Sequence, residues 1–149
     1  MDISVVWDAA KARGDWDVTA GDLATDPGLK SLVLILLGTD GLAPASFVPP
    51  DGTQDRRGHW SDTYEPDPSG SLLWTYNRSE IGNMRVLLNA LSDTCRNALQ
   101  ILVKYGIAAS VAVTAERLTK DAVFLDIAIM EPRATAATRF QFRWAWQGA

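Results

Sequence analysis

The sequence is poor in the side chains from which catalytic centres and metal sites are usually built. Its 149 residues include one cysteine, Cys95, and one histidine, His59. A single cysteine forms no intrachain disulfide and supplies no cysteine cluster for a metal ion. These shortages exclude a disulfide-stapled fold and a cysteine-based metal centre, so an ordinary hydrophobic core must hold the chain together.

Excess positive charge and long apolar segments are missing as well. The formal net charge is -4 and the sequence pI is ≈ 4.9, whereas nucleic-acid binders usually carry a basic field. The longest apolar run, residues 32–37, is too short to cross a bilayer. The N-terminus has neither the basic nor the long apolar region of a signal peptide. We therefore expect a soluble protein that binds neither nucleic acid nor membranes.

The N-terminal segment predicts a β-hairpin followed by a short helix. Residues 3–7 alternate as a strand does, and residues 16–19 predict its hairpin partner. Asp26 is suited to cap a helix, Pro27 to stand in its first turn and Gly38 to end it. The apolar surface of this helix is nearly unbroken, which indicates burial on most sides.

The composition changes over residues 39–70, which hold five of the seven prolines and four glycines. Neither a helix nor a central strand can run through such a segment. Its large apolar side chains favour order over disorder, so we predict an ordered, extended arm in which they are buried: Phe47, Val48, Trp60 and Tyr64.

The C-terminal half predicts a long amphipathic helix and three strands. Ser79 is a candidate N-cap, apolar residues recur at spacings of three and four, and Gly106 is suited to stop the helix. Residues 107–115, 122–130 and 138–147 follow as strands, and their short connections favour an antiparallel meander.

The last strand has two distinct faces. Aromatic residues occupy one face and polar residues the other: Phe140, Phe142, Trp144 and Trp146 against Arg139, Gln141 and Arg143. We predict an α+β fold in which the long helix packs on this meander, within a single domain of residues 1–149 that has its helix and meander in residues 79–147.

The segment DRRGHWSD, residues 55–62, is the candidate site that most resembles a catalytic centre. His59 could act with Cys95, but Cys95 lies on the apolar stripe of the long helix. A Ser-His-Asp set could use Ser61 with Asp55 or Asp62, yet no nucleophile elbow accompanies them. The spacing matches no metal-ligand pattern, and no glycine-rich phosphate loop occurs in the chain. We predict no catalytic residue, no metal and no cofactor.

The arginines of this segment favour a binding role. Arg56 and Arg57 suit a loop pinned to an acidic group, and Trp60 and Tyr64 lie beside them. The intramolecular candidates for that acidic group are Asp55, Asp62 and Glu65. The C-terminal strand is a second candidate, because a terminal strand is often the edge of a sheet.

The order of these motifs resembles one family, the small baseplate wedge proteins of Mu-like contractile-tailed phages. The motifs are MDISVVWD, RGDWDVT, GDLATDPGLKSLVLILLGTD, DRRGHWSD, GSLLW, ALQILVKYGIA and RFQFRWAW. The family is related to the small wedge proteins of larger contractile phages and of type VI secretion baseplates. His59 and Ser61 stand where the family pattern often has Trp and Gly. The Glu131-Pro132-Arg133 segment follows a strand here, whereas a similar motif in the related proteins follows the long helix.

The resemblance implies a structural component of the virion tail baseplate, present in several copies and assembled in the host cytoplasm. Such a protein clamps larger wedge subunits around the central hub and helps to initiate the sheath. Its expected partners are the larger wedge proteins, hub or tube-proximal proteins and the first sheath ring. The partner-binding residues that we predict lie in the arm and the last strand: Arg56, Arg57, Trp60, Tyr64, Arg139, Arg143 and Trp146.

Two other functions remain open from sequence alone. One is a small hydrolase that uses His59 with the neighbouring carboxylates of Asp55, Asp62 and Glu65 as its polar cluster. The other is a peptide-binding module that adds a strand from its ligand to a free sheet edge.

Overall fold

A computed structural model describes residues 2–11, 13–26, 28–49, 52–76, 82–120 and 122–145. The strands are β1 (Asp2–Ile3), β2 (Val5–Asp8), β3 (Arg13–Trp16), β4 (Val18–Thr19), β5 (Asp22–Leu23), β6 (Thr25–Asp26), β7 (Ser110–Thr119), β8 (Ala122–Met130) and β9 (Thr138–Ala145). The α-helices are α1 (Leu29–Gly38) and α2 (Met84–Lys104), and two 3-10 helices span Trp60–Thr63 and Leu73–Tyr76. The predicted α+β fold is confirmed.

The N-terminal segment forms a ribbon of short antiparallel pairs. Strands β2 and β3 form the predicted hairpin, but the second strand is Arg13–Trp16 and not residues 16–19, because Val18 and Thr19 pair with β5 instead. Strand β1 pairs with β6. The predicted strand over residues 3–7 is divided at Ser4, because the Ser4 N–H donates to the Ala24 carbonyl (2.7 Å) and leaves the hairpin ladder. Strands β5 and β6 were not predicted, since two residues are too few to establish an alternating pattern.

Helix α1 begins later than predicted. Asp26 pairs with Asp2 in β6, so it is not the N-cap; the cap position is held by Gly28 with a φ of 94°. Pro27 lies outside the described residues. The end at Gly38 is confirmed, and the helix is buried on most sides, with Ile35 as its exposed apolar residue.

Helix α2 covers one face of the C-terminal sheet. Its N-cap is Asn83, whose side chain accepts from the Arg85 and Val86 amides, while Ser79 lies outside the described residues. One stripe of the helix is fully or almost fully buried: Leu91, Cys95, Leu99 and Leu102. Because the spacing of this stripe matches the helical repeat, the sequence pattern located the helix that carries the core.

The sheet has the strand order β7-β8-β9 with both pairings antiparallel, which confirms the predicted meander. Strand β7 begins at Ser110, whereas it was predicted to begin at residue 107. The amides of Ile107 and Ala108 both donate to the Leu102 carbonyl, so these two residues close the helix before the strand begins. No helix in the described part of the chain is long and apolar enough to cross a membrane.

Strand β9 lies at one edge of this sheet and has the two faces that were predicted. Phe142 and Trp144 are buried, whereas Arg139, Gln141 and Arg143 are exposed. Trp146 lies outside the described residues. The aromatic face of β9 therefore belongs to the core, and its arginines lie on the outer face of the sheet.

We expect Gly70→Ala to be one of the most destabilising small substitutions in the chain. Gly70 has a φ of +113°, and an added Cβ would lie 2.8 Å from the Thr39 carbonyl oxygen and 3.0 Å from the Gly41 nitrogen. Backbone strain and overpacking together should lower the free energy of unfolding by about 2–4 kcal/mol, as measured by chemical denaturation.

Gly52→Ala is the matched control, because Gly52 also has a positive φ of +75° but nothing lies within 4 Å of its added Cβ. That substitution should cost about 1 kcal/mol from strain alone. Equal losses in the two variants would contradict the close approach at Gly70.

Candidate functional site

The ends of the segment over residues 39–70 meet, so the predicted arm is a closed loop, called here the 39–70 loop. The Gly41 N–H donates to the Ser71 carbonyl and the Ser71 N–H donates to the Thr39 carbonyl, both at 2.8 Å. The Ser71 hydroxyl donates to the Leu37 carbonyl at 2.5 Å. These bonds attach both ends of the loop to the C-terminal end of α1.

Arg56 holds the two sides of the loop together. Its Nε donates to the Ala43 carbonyl oxygen (2.7 Å), and the Ala43 N–H donates back to the Arg56 carbonyl (2.9 Å). Ala43 is fully buried and Arg56 is half-buried. The acidic partner that was expected is thus replaced, for Arg56, by a backbone carbonyl, with which a guanidinium can also form a hydrogen bond.

Arg57 pairs with Asp40, a carboxylate that was not among the expected partners. Its Nη1 lies 2.6 Å from Asp40 Oδ2, and its Cζ lies 4.7 Å from the centre of the Trp74 ring. The Trp74 indole N–H donates to the Gly41 carbonyl at 2.9 Å. Asp55, one of the expected partners, instead accepts from the Arg57 backbone N–H at 2.9 Å. Arg57 thus has an acidic partner, as predicted, but that partner is Asp40 and none of the three expected residues.

These contacts fix geometry more than they add stability. The side chains of Arg57 and Asp40 are 46% and 41% exposed, and an ion pair in such a place contributes less than about 1 kcal/mol. A cation over an aromatic ring adds about 0.5–1 kcal/mol at an exposed site. Arg57 also has a positive φ of 52°, which the surrounding bonds must hold in place.

His59 and its polar neighbours form a local cap. His59 is the N-cap of the 3-10 helix Trp60–Thr63: its Nδ1 lies 2.6 Å from Ser61 Oγ and accepts from the Ser61 N–H at 3.3 Å. Asp62 Oδ2 accepts from the His59 backbone N–H at 2.9 Å. A hydrolytic triad requires the acid to orient the imidazole, whereas this carboxylate contacts the backbone. The arrangement is therefore that of a capping box.

The remaining candidates for chemistry are no better placed. Cys95 is buried in the α2 stripe, and burial raises the pKa of its thiol to about 12, so the nucleophilic thiolate is scarce at neutral pH. Within the described ranges, no group of three or more His, Cys, Asp or Glu side chains is placed to hold a metal ion.

Trp60 and Tyr64 lie on the outside of the 39–70 loop. They are 78% and 80% exposed, and Val48 is 79% exposed, so the prediction that these side chains are buried was wrong. His59 and Asp62 cap this helical turn, and the Trp60 ring contacts only the edge of that cap, with 5.4 Å between the centres of the Trp60 and His59 rings. Phe47, in contrast, is half-buried and packs edge-on against Trp74 with 5.3 Å between ring centres. Large exposed aromatic side chains on an ordered loop are typical of binding surfaces.

Near its end, at Asp67, the 39–70 loop is attached to the C-terminal end of α2. Asp67 pairs with Lys104 and accepts from the Tyr105 hydroxyl at 2.7 Å. Hydrogen bonds from Lys104 and Tyr105 hold the pKa of Asp67 below its ordinary value, and the bond to Asp67 raises the pKa of Lys104. Sequence reasoning missed this contact because the partners are far apart in the chain.

The predicted residues of β9 lie on a different element from the loop. Arg139 Nη1 lies 3.2 Å from Asp126 Oδ2 on the outer sheet face, and Arg143 is exposed. The Trp7 indole N–H donates to the Arg143 carbonyl at 3.2 Å, so the N-terminal hairpin covers part of the edge of β9. The structure thus brings Arg56, Arg57, Trp60 and Tyr64 into one loop and places the β9 arginines elsewhere.

The contact between Asp67 and Lys104 should depend on pH in a defined way. The lowered pKa of Asp67 means that its contribution to stability is present above the ordinary value of 3.8 and is lost as the pH falls through the lower folded value. The raised pKa of Lys104 means that its contribution is complete below 10.5 and is lost as the pH rises through the higher folded value. The contact therefore operates across the neutral range.

We expect Lys104→Ala to raise the pKa of the Asp67 carboxyl toward its ordinary value, as followed by NMR titration of that carboxyl. Loss of a cation and of a hydrogen-bond donor both disfavour the charged form. Arg96→Ala is the control, because Arg96 lies on the same helix and pairs with Asp93. An Asp67 titration midpoint that is unmoved by Lys104→Ala would contradict the contact.

Comparison with known proteins extends over nearly the whole chain. A family model described as phage protein GP46 matches residues 29–136, a span that includes α1, the 39–70 loop, α2, β7 and β8. The "Baseplate protein gp46" of Escherichia phage Mu is 33% identical over 147 residues, which cover 99% of this chain and 98% of that protein. The "Mu-like prophage FluMu protein gp46" of Haemophilus influenzae is 27% identical over 146 residues, with 97% and 98% coverage.

These matches confirm the resemblance that the sequence motifs indicated. The family model covers more than half of the chain, and the Mu relative covers almost all of it at more than 30% identity. The chain belongs to the phage protein GP46 family and is a homologue of the baseplate protein gp46 of phage Mu.

Proposed function

We propose that this protein is a structural component of a contractile-tail baseplate wedge, which binds larger wedge proteins around the central hub and helps to initiate the sheath. The protein would be assembled in the host cytoplasm and reside, in several copies, in the tail baseplate of the virion. The observation that carries this proposal is the exposure of Trp60 and Tyr64 on a loop that internal contacts already hold in shape. The baseplate name of the Mu relative supports the same role.

The fixed shape of the loop lowers the conformational entropy that is lost on binding. A loop that is disordered before binding must lose conformational entropy when it binds, whereas a loop already held in shape avoids most of that cost. Here Arg56 and Arg57 bond to Ala43 and Asp40. Aromatic side chains on such a loop bury a large area with few rotatable bonds, which is why they dominate many interfaces.

The predicted binding residues therefore divide into two roles. We propose that Trp60 and Tyr64 contact a larger wedge protein directly, while Arg56 and Arg57 keep the loop in the shape that presents them. In this proposal the 39–70 loop mediates assembly, which is the role that we predicted for this segment from the sequence.

The C-terminal sheet offers the second predicted surface. Arg139 and Arg143 are exposed on the outer face of edge strand β9, and we propose that they face the hub or the first sheath ring. Trp146 belongs to the same prediction and lies outside the described residues. An edge strand can pair with a strand of a neighbour, and we propose that the part of the β9 edge not covered by Trp7 does so.

Neither alternative function gains support from the geometry. The hydrolase hypothesis needs the Asp62 carboxylate on the imidazole of His59, but it bonds to the backbone. A stand-alone strand-addition module would bind at the same β9 edge that the wedge proposal uses, where the Trp7 indole covers the Arg143 carbonyl, so the sheet does not favour the stand-alone module.

The double variant Trp60→Ala/Tyr64→Ala should abolish or strongly weaken co-purification with the larger wedge proteins of the same phage. Its melting temperature should stay close to that of the wild type, because both side chains are exposed. The matched control is Val86→Ala/Leu118→Ala, two exposed apolar residues on α2 and β7. Intact complexes with the Trp60/Tyr64 variant would refute the proposed loop contact.

Arg57→Ala and Asp40→Asn should each impair complex formation more than folding. Each removes the same ion pair, worth about 1 kcal/mol or less, and Arg57→Ala also removes the contact with the Trp74 ring, worth about 0.5–1 kcal/mol. The double variant should therefore be little worse than Arg57→Ala alone. Denaturation curves and co-purification measure the two effects separately. If Arg57→Ala lowers the stability substantially while complexes still form, the loop only supports its own domain.

A further inference from the structure

We infer that a groove between β3 and α1 is a second partner-binding surface, for a segment of another baseplate protein in which apolar side chains are flanked by lysine or arginine. The inference rests on the proposed function, since it assumes that the chain works by binding other baseplate components. It concerns a part of the molecule that none of the sequence predictions assigned to binding.

Two glycines form part of the wall of the groove. Its volume is ≈ 420 Å³, and Gly14 of β3 and Gly38 of α1 are among its lining residues. A Cβ on Gly14 would lie 3.3 Å from Val5 Cγ1, and one on Gly38 would lie 3.7 Å from the Trp7 ring. Val5 also lines the groove, so a side chain at Gly14 would crowd its wall, whereas one at Gly38 would contact Trp7, which is not among the lining residues. The glycine at position 14 therefore keeps this part of the groove open.

Apolar side chains line the groove and remain exposed. Trp16 is 65% exposed and Ile35 is 48% exposed, and both line the groove beside the buried Leu34. Beyond Trp16 the ribbon carries the cross-strand pair Val18 and Leu23, which is also exposed. Apolar surface of this kind next to a groove is a mark of an interaction site.

The charge around the groove indicates the chemistry of the occupant. Residues 1–26 contain six aspartates and only two basic residues, so this segment alone carries the net side-chain charge of the whole chain, -4. Asp15 and Asp17 flank Trp16 in sequence, and Asp22 precedes Leu23. Asp15 lies 3.5 Å from Arg13, a distance that leaves it only weakly paired.

A groove with Asp15 in its lining and an acidic N-terminal ribbon beside it selects against a second copy of itself. Two such ribbons would bring like charges together, which is costly when water is excluded between them. A segment with leucine-like side chains and flanking lysine or arginine fills the apolar groove and pairs with the aspartates. Since the protein is acidic overall, this occupant is assigned to a different protein.

The first test uses the full chain, labelled with ¹⁵N, and three synthetic peptides that share the same leucine positions. The remaining positions are all lysine, all glutamate or all serine. We expect the lysine peptide to shift the Trp16 indole signal and the Gly14 and Ile35 amide signals, and the glutamate peptide to leave them unchanged.

Two variants test separately how the negative charge and the apolar contact contribute to binding of the lysine peptide. Asp15→Asn/Asp17→Asn should weaken binding of the lysine peptide about fivefold to tenfold at low salt, and Ile35→Asn should abolish it. Val86→Asn is the control, an exposed apolar residue of α2 away from the groove. Equal binding of the lysine and glutamate peptides, or shifts confined to residues outside the groove, would overturn the inference.

The second test is assembly with the baseplate proteins of the same phage. Ile35→Asn and Asp15→Asn/Asp17→Asn should each lose one partner that Trp60→Ala/Tyr64→Ala retains. If the wild type and both groove variants assemble equally well, the groove inference fails while the proposed function stands. If the wild type itself binds no baseplate protein, the proposed function fails.

Discussion

The bonds made by Ser71 are the constraint on which the rest of this structure depends. The residue is 3% exposed, its hydroxyl donates to the Leu37 carbonyl, and its backbone bonds to Thr39 and Gly41. Buried backbone groups must find partners, and here the last turn of α1 and the two ends of the 39–70 loop satisfy one another. Gly70 precedes this point because a side chain there would meet the backbone of the opposite end.

The 39–70 loop is rich in proline and glycine and forms neither strands nor long helices. It has a defined shape because the hydrogen bonds at Ser71 join its two ends. The loop then needs only a few further bonds, and Arg56, Arg57 and Asp67 make them with Ala43, Asp40 and Lys104. Each bond is modest in energy, yet together they restrict a long segment whose ends are already joined. The aromatic side chains of Trp60 and Tyr64 therefore need not pack in the core to hold the loop in shape, and they stay exposed to a partner.

How much could be predicted depended on whether the signal was local. The stripe of α2 and the faces of β9 follow from helical and strand periodicity, and both are as predicted. The predicted starting point of α1 was wrong because Asp26 pairs with Asp2. Local capping preferences do not reveal this contact across the ribbon. The predicted burial of Trp60 was also wrong, since hydrophobicity alone does not decide whether a large apolar side chain is buried or exposed.

The sequence by itself therefore determined the α+β class, the helix that carries the core, the two faces of the last strand and, through its motif order, the family. These properties depend on residues close together in the chain or on the order of short motifs. Only the tertiary structure decided that Arg57 pairs with Asp40 and stacks on Trp74, that His59 caps a turn, and that Gly14 faces the groove beside Gly38. Those contacts join residues that are far apart in sequence or depend on side-chain direction, and chain folding alone brings such groups within bonding distance.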